Sequence, residues 1–124
     1  MSEGRGREAQ VSGPGEGERF ERANRVVTIK GDLPEISANE IDFDPTFAIE
    51  PHVHDDQVDS FYVLEGEVEF TLGDRAVRAL PGTWVSVPPG VVHGFRNPGP
   101  GRARFLNVHT PDAGFVDMIR GTGR

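Results

Sequence analysis

Histidines are the residues of this chain best suited to chemistry, and three of the four lie in two short segments. His52 and His54 are separated by one residue, so on an extended strand their side chains project from the same face, roughly 6.5–7 Å apart along the chain. Two imidazoles so placed can converge on one ion, with nitrogen ligands at about 2.0–2.2 Å. Because the chain has no cysteine, any metal must be bound by imidazole and carboxylate groups. The alternative for this pair is plain solvent exposure, since Asp55 and Asp56 follow at once.

The elements that must position these side chains are short strands. From Arg25 onward, apolar or alternating runs are separated by turn residues at intervals of roughly 8–12 positions, which is typical of a sandwich or barrel. We predict strands near Val26–Lys30, Ile36–Phe43, Thr46–Ile49, Ser60–Leu64, Val68–Leu72, Arg75–Ala79, Trp84–Val87, Val92–Arg96 and Arg104–His109. After Pro111, the residues Phe115, Met118 and Ile119 fall at i, i+3 and i+4 and predict a short C-terminal helix.

Length and composition limit the domain organisation and the partners. A chain of 124 residues fits one domain. Residues 1–19 are almost entirely Gly, Glu, Arg and Ser, so we expect a flexible N-terminal tail, followed by a single domain over residues 20–124. The formal charge of −7 would repel nucleic acid. No run approaches the ~20 apolar residues of a membrane span and no signal-peptide core is visible, so we expect a cytoplasmic protein without a membrane partner.

Written as spacings, the histidine segments resemble the two motifs of the cupin superfamily. The first segment reads His52-x-His54-x4-Asp59-x6-Gly66. The second matches without a gap and reads Gly82-x5-Pro88-x-Gly90-x2-His93-x3-Asn97. The second motif is the more specific, because five defined positions coincide at fixed spacing. The short segment between the motifs is similar to that of compact, single-domain, quercetin-dioxygenase-like members.

The resemblance implies an all-β double-stranded β-helix, or jelly-roll barrel, that binds one divalent transition metal, often iron, manganese, nickel or zinc, through three His and one Glu. Carried over by position, His52, His54 and His93 take the histidine places and Asp59 takes the Glu place. Because Asp59 is one methylene shorter, its carboxylate is withdrawn by roughly 1.5 Å and binds either directly or through a water. Thr46 stands where the first motif usually opens with Gly.

Two further polar residues bear on the site. His109 lies on the last predicted strand with Asn107 on the same side, where it could orient a substrate, act as acid or base, or support a ligand. The alternative for His109 is a hydrogen-bonded histidine at a strand end. Asp59 could likewise act as a base rather than a ligand. We expect Asn97 to close the turn before the Pro-Gly run rather than to touch substrate.

Apolar side chains are expected around the ion and on the outer face. Phe61 and Val63 share the parity of Asp59, and Phe95 shares that of His93, so these would wall a small-molecule site. Residues of opposite parity would lie outside, where a continuous patch would mark a homodimer interface. The outward residues are Tyr62, Leu64 and Val92.

Three functions are compatible with the pattern. The first is a mononuclear metal oxygenase, with His52, His54 and His93 as ligands, Asp59 as ligand or base and His109 as a helper. The second is a metal enzyme without redox chemistry, such as an isomerase or decarboxylase. The third is a module that binds or senses a small ligand without turning it over, since one fold hosts both enzymes and binding proteins.

Overall fold

The computed structural model describes residues 8–121, which form ten β-strands and one short helix. The strands are β1 (Glu18–Glu21), β2 (Arg25–Asp32), β3 (Ser37–Phe43), β4 (Ala48–His52), β5 (Val58–Glu65), β6 (Val68–Leu72), β7 (Arg75–Ala79), β8 (Trp84–Val87), β9 (His93–Arg96) and β10 (Ala103–Thr110). The helix α1 is Phe115–Arg120. The expected all-β fold with a short C-terminal helix is confirmed, and each of the nine predicted strands overlaps an observed one.

The strands form two antiparallel sheets. One sheet has the order β1-β2-β3-β10-β5-β8, and the other has the order β4-β9-β6-β7. From β3 onward, strands that are neighbours in sequence are mostly in different sheets, and the resulting order is that of an eight-stranded jelly roll. The double-stranded β-helix is therefore confirmed. This arrangement brings β4 and β9, which carry two of the predicted histidines, opposite β5 and β10, which carry Asp59 and His109.

An aromatic cluster fills the space between the two sheets. Strand periodicity turns alternate residues inward, and on β10 every second residue from Ala103 to His109 is buried. Five phenylalanines meet with ring centroids 4.9–6.3 Å apart in edge-on or tilted packing. They are Phe43, Phe61, Phe70, Phe95 and Phe105. Below this apolar layer the inner face becomes polar, and the predicted site lies there.

The turn between β5 and β6 needs glycine. Gly66 has φ +74°, a left-handed conformation that other residues adopt at a cost. A Cβ on Gly66 would also clash with the Arg102 carbonyl and come within 2.9 Å of the Ala103 Cα. The glycine that ends the first motif is thus required because β10 passes directly against this turn.

Helix α1 is fixed at both ends. The Asp112 carboxylate accepts hydrogen bonds from the backbone N–H groups of Gly114 and Val116 at 3.2 and 3.1 Å. At the other end the Arg120 guanidinium bonds Glu18 on β1 at 2.7 Å and Asp32 on β2 at 3.1 Å. The helix therefore closes one end of the barrel. Within the range described, no helix has the length and apolar character to cross a membrane.

The N-terminal segment lies closer to the barrel than its composition indicates. Strand β1 begins at Glu18, inside the predicted tail, and pairs with β2 along its whole length. Before it, the Lys30 ammonium donates to the carbonyls of Gly13 and Glu16, both at 2.7 Å, and Gln10 exchanges two hydrogen bonds with the Asp32 backbone. The start of the barrel domain, which we placed at residue 20, thus falls within β1. Flexibility of the tail stays a prediction, and residues 1–7 lie outside the described range.

The outward residues are only partly exposed. Tyr62 is 39% exposed and packs against the ring of Trp84 on β8, with centroids 6.3 Å apart. Leu64 is half-buried, and Val92 is 43% exposed but precedes β9 in the other sheet. A homodimer interface on this surface stays a prediction.

Removal of a ring from the aromatic cluster tests the core. We expect Phe105→Ala to lower the free energy of unfolding by about 3–5 kcal/mol, because Phe105 is fully buried and contacts four other rings. Urea denaturation measures this loss. Leu80→Ala serves as the control, since Leu80 is 55% exposed and its truncation should change stability by no more than about 0.5 kcal/mol. Equal effects of both substitutions would contradict the assignment of this cluster as the core.

Candidate metal centre

Four predicted residues converge at the polar end of the barrel. His52 ends β4, His93 begins β9, and the two are direct cross-strand neighbours. Asp59 lies on β5 in the opposite sheet. His54 follows β4 in the connection to β5. One ligand atom from each of the four lies within 4.8 Å of every other, so the structure brings the whole predicted set together.

The approach of β4 to β9 depends on a residue without a side chain. A Cβ on Gly94 would lie 2.6 Å from the Ile49 carbonyl oxygen and 2.9 Å from the Pro51 nitrogen. Strand β4 also carries a bulge between Ile49 and His52. A bulge re-aims the side chains beyond it. Together these features set His52 beside His93.

His54 reaches the cluster in a different way from the one its spacing suggested. The His-x-His pattern predicts two side chains on one strand, yet β4 ends at His52 and His54 lies in the following loop. The loop is held by a hydrogen bond from the Gly90 N–H to the His54 carbonyl at 2.8 Å. The His52 and His54 Nε2 atoms are nonetheless 3.1 Å apart. The prediction that the two imidazoles converge is correct, although only one of them is on a strand.

Backbone carbonyls orient two of the imidazoles. The Nδ1 of His52 lies 2.9 Å from the Glu50 carbonyl oxygen, and the Nδ1 of His93 lies 3.0 Å from the Val91 carbonyl oxygen. Since a carbonyl accepts, both Nδ1 atoms carry the proton and donate. The Nε2 atoms then face the cluster, and a carbonyl behind the ring is the usual support of a metal-binding histidine.

Distances within the cluster fit a coordinated cation. Ligands bound at about 2.1 Å in tetrahedral or octahedral geometry lie about 3.0–3.4 Å from their neighbours. Two distances lie in or next to this range: the His52 and His54 nitrogens are 3.1 Å apart, and the Asp59 Oδ2 is 2.9 Å from the His93 Nε2. The Asp59 Oδ2 is farther from the His54 Nε2, at 3.7 Å, so these two groups would move closer together around an ion. Three nitrogens and one carboxylate oxygen are a donor set that suits zinc, iron, manganese or nickel. These residues can therefore hold one divalent transition metal.

The Asp59 carboxylate uses its two oxygens for different purposes. Its Oδ2 faces the imidazoles, while its Oδ1 accepts from Asn107 Nδ2 at 2.7 Å and lies 3.2 Å from His109 Nε2. His109 and Asp59 are cross-strand partners of β10 and β5, so the sheet register sets this contact. Oδ2 is aimed into the cluster despite the missing methylene. Direct ligation by Asp59, as opposed to ligation through a water, stays a prediction.

The charge of Asp59 is stabilised inside the protein. Burial by itself raises the pKa of the Asp59 carboxyl, but the hydrogen bonds from His109, His93 and Asn107 outweigh burial, and the pKa lies well below its usual range. Asp59 is 4% exposed. It is therefore an ionised carboxylate at neutral pH, in the state that a metal ligand or a base requires.

The pKa values of His54 and His93 move in opposite directions. Burial lowers the pKa of His54 below 6.5, and the nearby Asp59 charge only partly offsets this effect. For His93 burial also lowers the pKa, but hydrogen bonds to Asp59 and to the Val91 carbonyl outweigh it and raise the pKa above 6.5. Both His93 nitrogens face acceptors, so its Nε2 keeps a proton to higher pH than a free imidazole does. A metal must displace that proton.

His109 faces the site, as its strand parity predicted. It is 2% exposed, and its ring stacks on Phe115 of α1 with centroids 4.0 Å apart. Its Nε2 faces the Asp59 carboxylate, so its Nδ1 is on the opposite side of the ring. That Nδ1 is buried and has no hydrogen-bond partner among residues 8–121. A catalytic role for His109 stays a prediction, whereas Asn97 bonds the Phe43 and Gly101 carbonyls and closes its turn as expected.

A cavity of about 500 Å³ opens onto the metal cluster. His52, His54 and Asp59 form part of its wall, and most of its other lining residues are apolar. Phe61 and Phe95, which strand parity assigned to the walls, line it, and Val63 is buried in the core behind. This size and lining are typical of a small-molecule site. Sequence reasoning missed the cavity walls supplied by Phe47 and Arg25.

Comparisons of the sequence with known proteins find cupin relatives, in agreement with the jelly-roll fold. A family model described as "Cupin domain" matches residues 39–109. Quercetin 2,3-dioxygenase of Bacillus subtilis is 32% identical over 88 residues, which cover 66% of this chain and 26% of that protein. The chain thus spans about a quarter of the length of this curated relative.

Solved structures share the fold. An RmlC-like cupin from Shewanella frigidimarina aligns with a TM-score of 0.74 and 23% identity, covering 84% of this chain and 92% of that one. A cupin-superfamily sugar phosphate isomerase from Silicibacter pomeroyi aligns with a TM-score of 0.65 and 25% identity, covering 70% of this chain and 59% of that one.

Metal content tests the cluster. We expect one divalent metal per wild-type chain after reconstitution, and at least a tenfold loss of affinity for His93→Ala, since this substitution removes a ligand from the centre of the cluster. Elemental analysis and competition with a chelator measure both quantities. Asp55→Asn is the matched control, because Asp55 is an exposed carboxylate in the same loop as His54. Unchanged metal affinity in the His93 variant would contradict the site.

The pH dependence of metal binding follows from His93. Hydrogen bonds to Asp59 and to the Val91 carbonyl raise the pKa of His93 above 6.5, so on the acid side of that pKa metal binding must release a proton. Apparent affinity should therefore rise with pH on the acid side of the His93 pKa, by up to about tenfold per unit, and level off above it. Calorimetric titrations in buffers of different ionisation enthalpy count the protons released. Affinity that is independent of pH between about 6 and 8 would show that no such proton is displaced.

Proposed function

This chain belongs to the cupin family, and we propose that it is a mononuclear metal-dependent enzyme that acts on a small molecule with dioxygenase-like chemistry. One observation carries the proposal: three residues of the three-histidine, one-aspartate cluster, His52, His54 and Asp59, line a largely apolar cavity. A small molecule in that cavity would touch both the metal and the polar groups beside it. A metal site sealed inside the core would support only a structural role.

A bound divalent metal would supply Lewis-acid polarisation of a substrate oxygen and, if it is redox-active, electron transfer with dioxygen. The protein's own residues then have separate tasks. His52, His54 and His93 would hold the ion through Nε2. Four protein ligands would not fill the coordination sphere of an ion that accepts six, and a substrate could approach the ion from the cavity that His52, His54 and Asp59 line.

Asp59 and His109 are placed for proton transfer. The Asp59 carboxylate is ionised and can accept a proton from a substrate hydroxyl at Oδ2 if it is not ligating directly. His109 donates its Nε2 proton toward Asp59 Oδ1 and holds the carboxylate in place together with Asn107. Phe61, Phe95 and Phe115 line the cavity and would exclude water from the reacting atoms.

The dioxygenase branch is supported by the 32% identity to quercetin 2,3-dioxygenase. A metal enzyme without redox chemistry is the second candidate, because the chain also aligns with a sugar phosphate isomerase at 25% identity and because an ionised carboxylate beside a histidine suits proton transfer. Neither candidate changes the residues proposed for the site.

Turnover under defined metal and oxygen separates the candidates. We expect protein loaded with iron(II) or manganese(II) to consume dioxygen in the presence of quercetin or a related polyphenol, and protein loaded with zinc(II) to be inactive. An oxygen electrode and product mass spectrometry measure this reaction. His93→Ala should reduce the rate by at least a hundredfold, and Asp55→Asn should not change it.

Two results would overturn parts of the proposal. Activity that persists with zinc in the absence of oxygen would replace the dioxygenase with a non-redox enzyme. Metal-dependent ligand binding without turnover of any bound compound would replace the enzyme with a binding or sensor protein.

A further inference from the structure

Arg25 is an arginine whose side chain points into the barrel. It begins β2, and Val27 and Ile29, which share its parity on the strand, are buried. Arg25 itself is half-buried and lines the same cavity as the metal cluster. Placing a charged guanidinium against an apolar wall costs free energy, because the group loses part of its hydration. Such a position indicates that the guanidinium binds a negatively charged partner.

The contacts of Arg25 leave its charge without a carboxylate. Its guanidinium carbon lies 4.6 Å from the ring centroid of Phe47, and its Nη1 donates to the Asn24 side-chain oxygen at 3.1 Å. The cation–π contact fixes the plane of the guanidinium but does not neutralise it. In the part of the chain that the structure covers, Arg25 makes no ion pair with Asp or Glu.

Other arginines of this acidic chain are paired or hydrated. Arg102 pairs with Asp42, and Arg104 pairs with Glu40 and Glu65 at 3.2 Å. Arg22 makes no ion pair but is exposed, so water solvates it. Arg25 differs from both groups because it is withdrawn from solvent and still unpaired, in a protein with a formal charge of −7.

Arg25 and the metal cluster lie at different parts of the cavity. The guanidinium stacks on Phe47, just before β4, and His52 is the last residue of β4. Five residues of strand span at most about 16 Å, and the bulge before His52 shortens this distance. A ligand that reaches both would extend along the cavity from Phe47 to His52, and a cavity of about 500 Å³ has room for such a small molecule.

We propose that Arg25 binds the carboxylate of a substrate whose other end reaches the metal ligands and whose middle is apolar. This inference rests on the proposed function and adds the substrate class: an elongated monocarboxylate with an oxygen donor at its far end. Arg25 would act as a specificity-determining residue, because its planar fork matches a carboxylate with two parallel hydrogen bonds.

A carboxylate fits this position better than a phosphate. A single guanidinium balances one negative charge, whereas a phosphate monoester carries nearly two. Glu50 lines the same cavity, and its charge would oppose a second negative charge on the ligand. A single negative charge, as on a carboxylate, is therefore the charge that Arg25 matches at this end of the cavity.

Binding of a matched pair of probes tests the inference. The probes are 4′-hydroxybiphenyl-4-carboxylate and its neutral carboxamide, titrated calorimetrically into zinc-loaded protein at fixed ionic strength. Wild type should bind the carboxylate at least tenfold more tightly than the carboxamide. Arg25→Gln should weaken carboxylate binding about 10- to 100-fold, the usual range for a lost charge-assisted hydrogen bond, and should change carboxamide binding less than about threefold.

Control variants isolate the guanidinium. Arg22→Gln removes an exposed arginine three residues away and should leave both affinities unchanged. Arg25→Lys keeps the charge without the fork and should retain a preference for the carboxylate, smaller than that of wild type. It also replaces Arg25→Gln as the test if circular dichroism shows that the glutamine variant does not fold.

The outcomes separate this inference from the proposed function. Three results would overturn the role of Arg25, whatever the metal content. Wild type could bind the two probes equally, or it could bind neither of them. Alternatively, carboxylate binding could be unchanged in both Arg25 variants. If the carboxylate preference persists after chelation with no loss of affinity, the role of Arg25 stands and contact between ligand and metal fails.

Discussion

The site depends on keeping one negative charge, the Asp59 carboxylate, inside the barrel. Transfer of an ionised carboxylate out of water is unfavourable unless charged or polar partners surround it. Here the partners come from both sheets: His109 and Asn107 lie on β10 beside Asp59, and His93 reaches across from β9. The polar end of the barrel is arranged around this requirement, because Asp59 accepts hydrogen bonds from its neighbours in place of water and the imidazoles of His93 and His54 face it.

The jelly roll supplies those partners by register. Cross-strand pairing sets His109 opposite Asp59 in one sheet and His52 opposite His93 in the other. Two glycines leave the space that this register needs. Gly66 allows β10 to pass the end of β5, and Gly94 allows β4 to approach β9. Gly66, which is a motif position, and Gly94, which is not, therefore act on ligand geometry through the backbone. The aromatic cluster packs between the two sheets and holds them apart.

Much of this could be predicted from the sequence, because two kinds of signal were local. Strand alternation located nine of the strands, and motif spacing located His52, His54, His93 and Asp59. The alternation of side chains along β10 also predicted that His109 faces the pocket. The features that the sequence did not predict depend on contacts between elements that are distant in the sequence. Strand β1 has one apolar residue, Phe20, among charged ones, and it pairs through its backbone, so no side-chain pattern marks it.

The loop position of His54 and several residues of the cavity wall could not be predicted either, because both depend on how distant segments pack together. A bulge in β4 changes which residues are on the strand, and Pro51, which has no backbone N–H to donate, is the one residue in that segment that indicates an irregularity. Phe115 stacks on His109 from a helix whose angle to the barrel depends on the ion pairs of Arg120. Arg25 begins a strand that was recognised, but a charged residue at a strand end is normally assigned to solvent, and only the assembled cavity shows that it points inward.

Anomalous diffraction from crystals of reconstituted protein, collected at the absorption edge of the loaded metal, tests the central claim most directly. The account predicts one strong peak per chain, within about 2.0–2.3 Å of the Nε2 atoms of His52, His54 and His93 and on the Oδ2 side of Asp59. A peak elsewhere, ligation through Nδ1, or the three rings turned away from one another around no ion would contradict it.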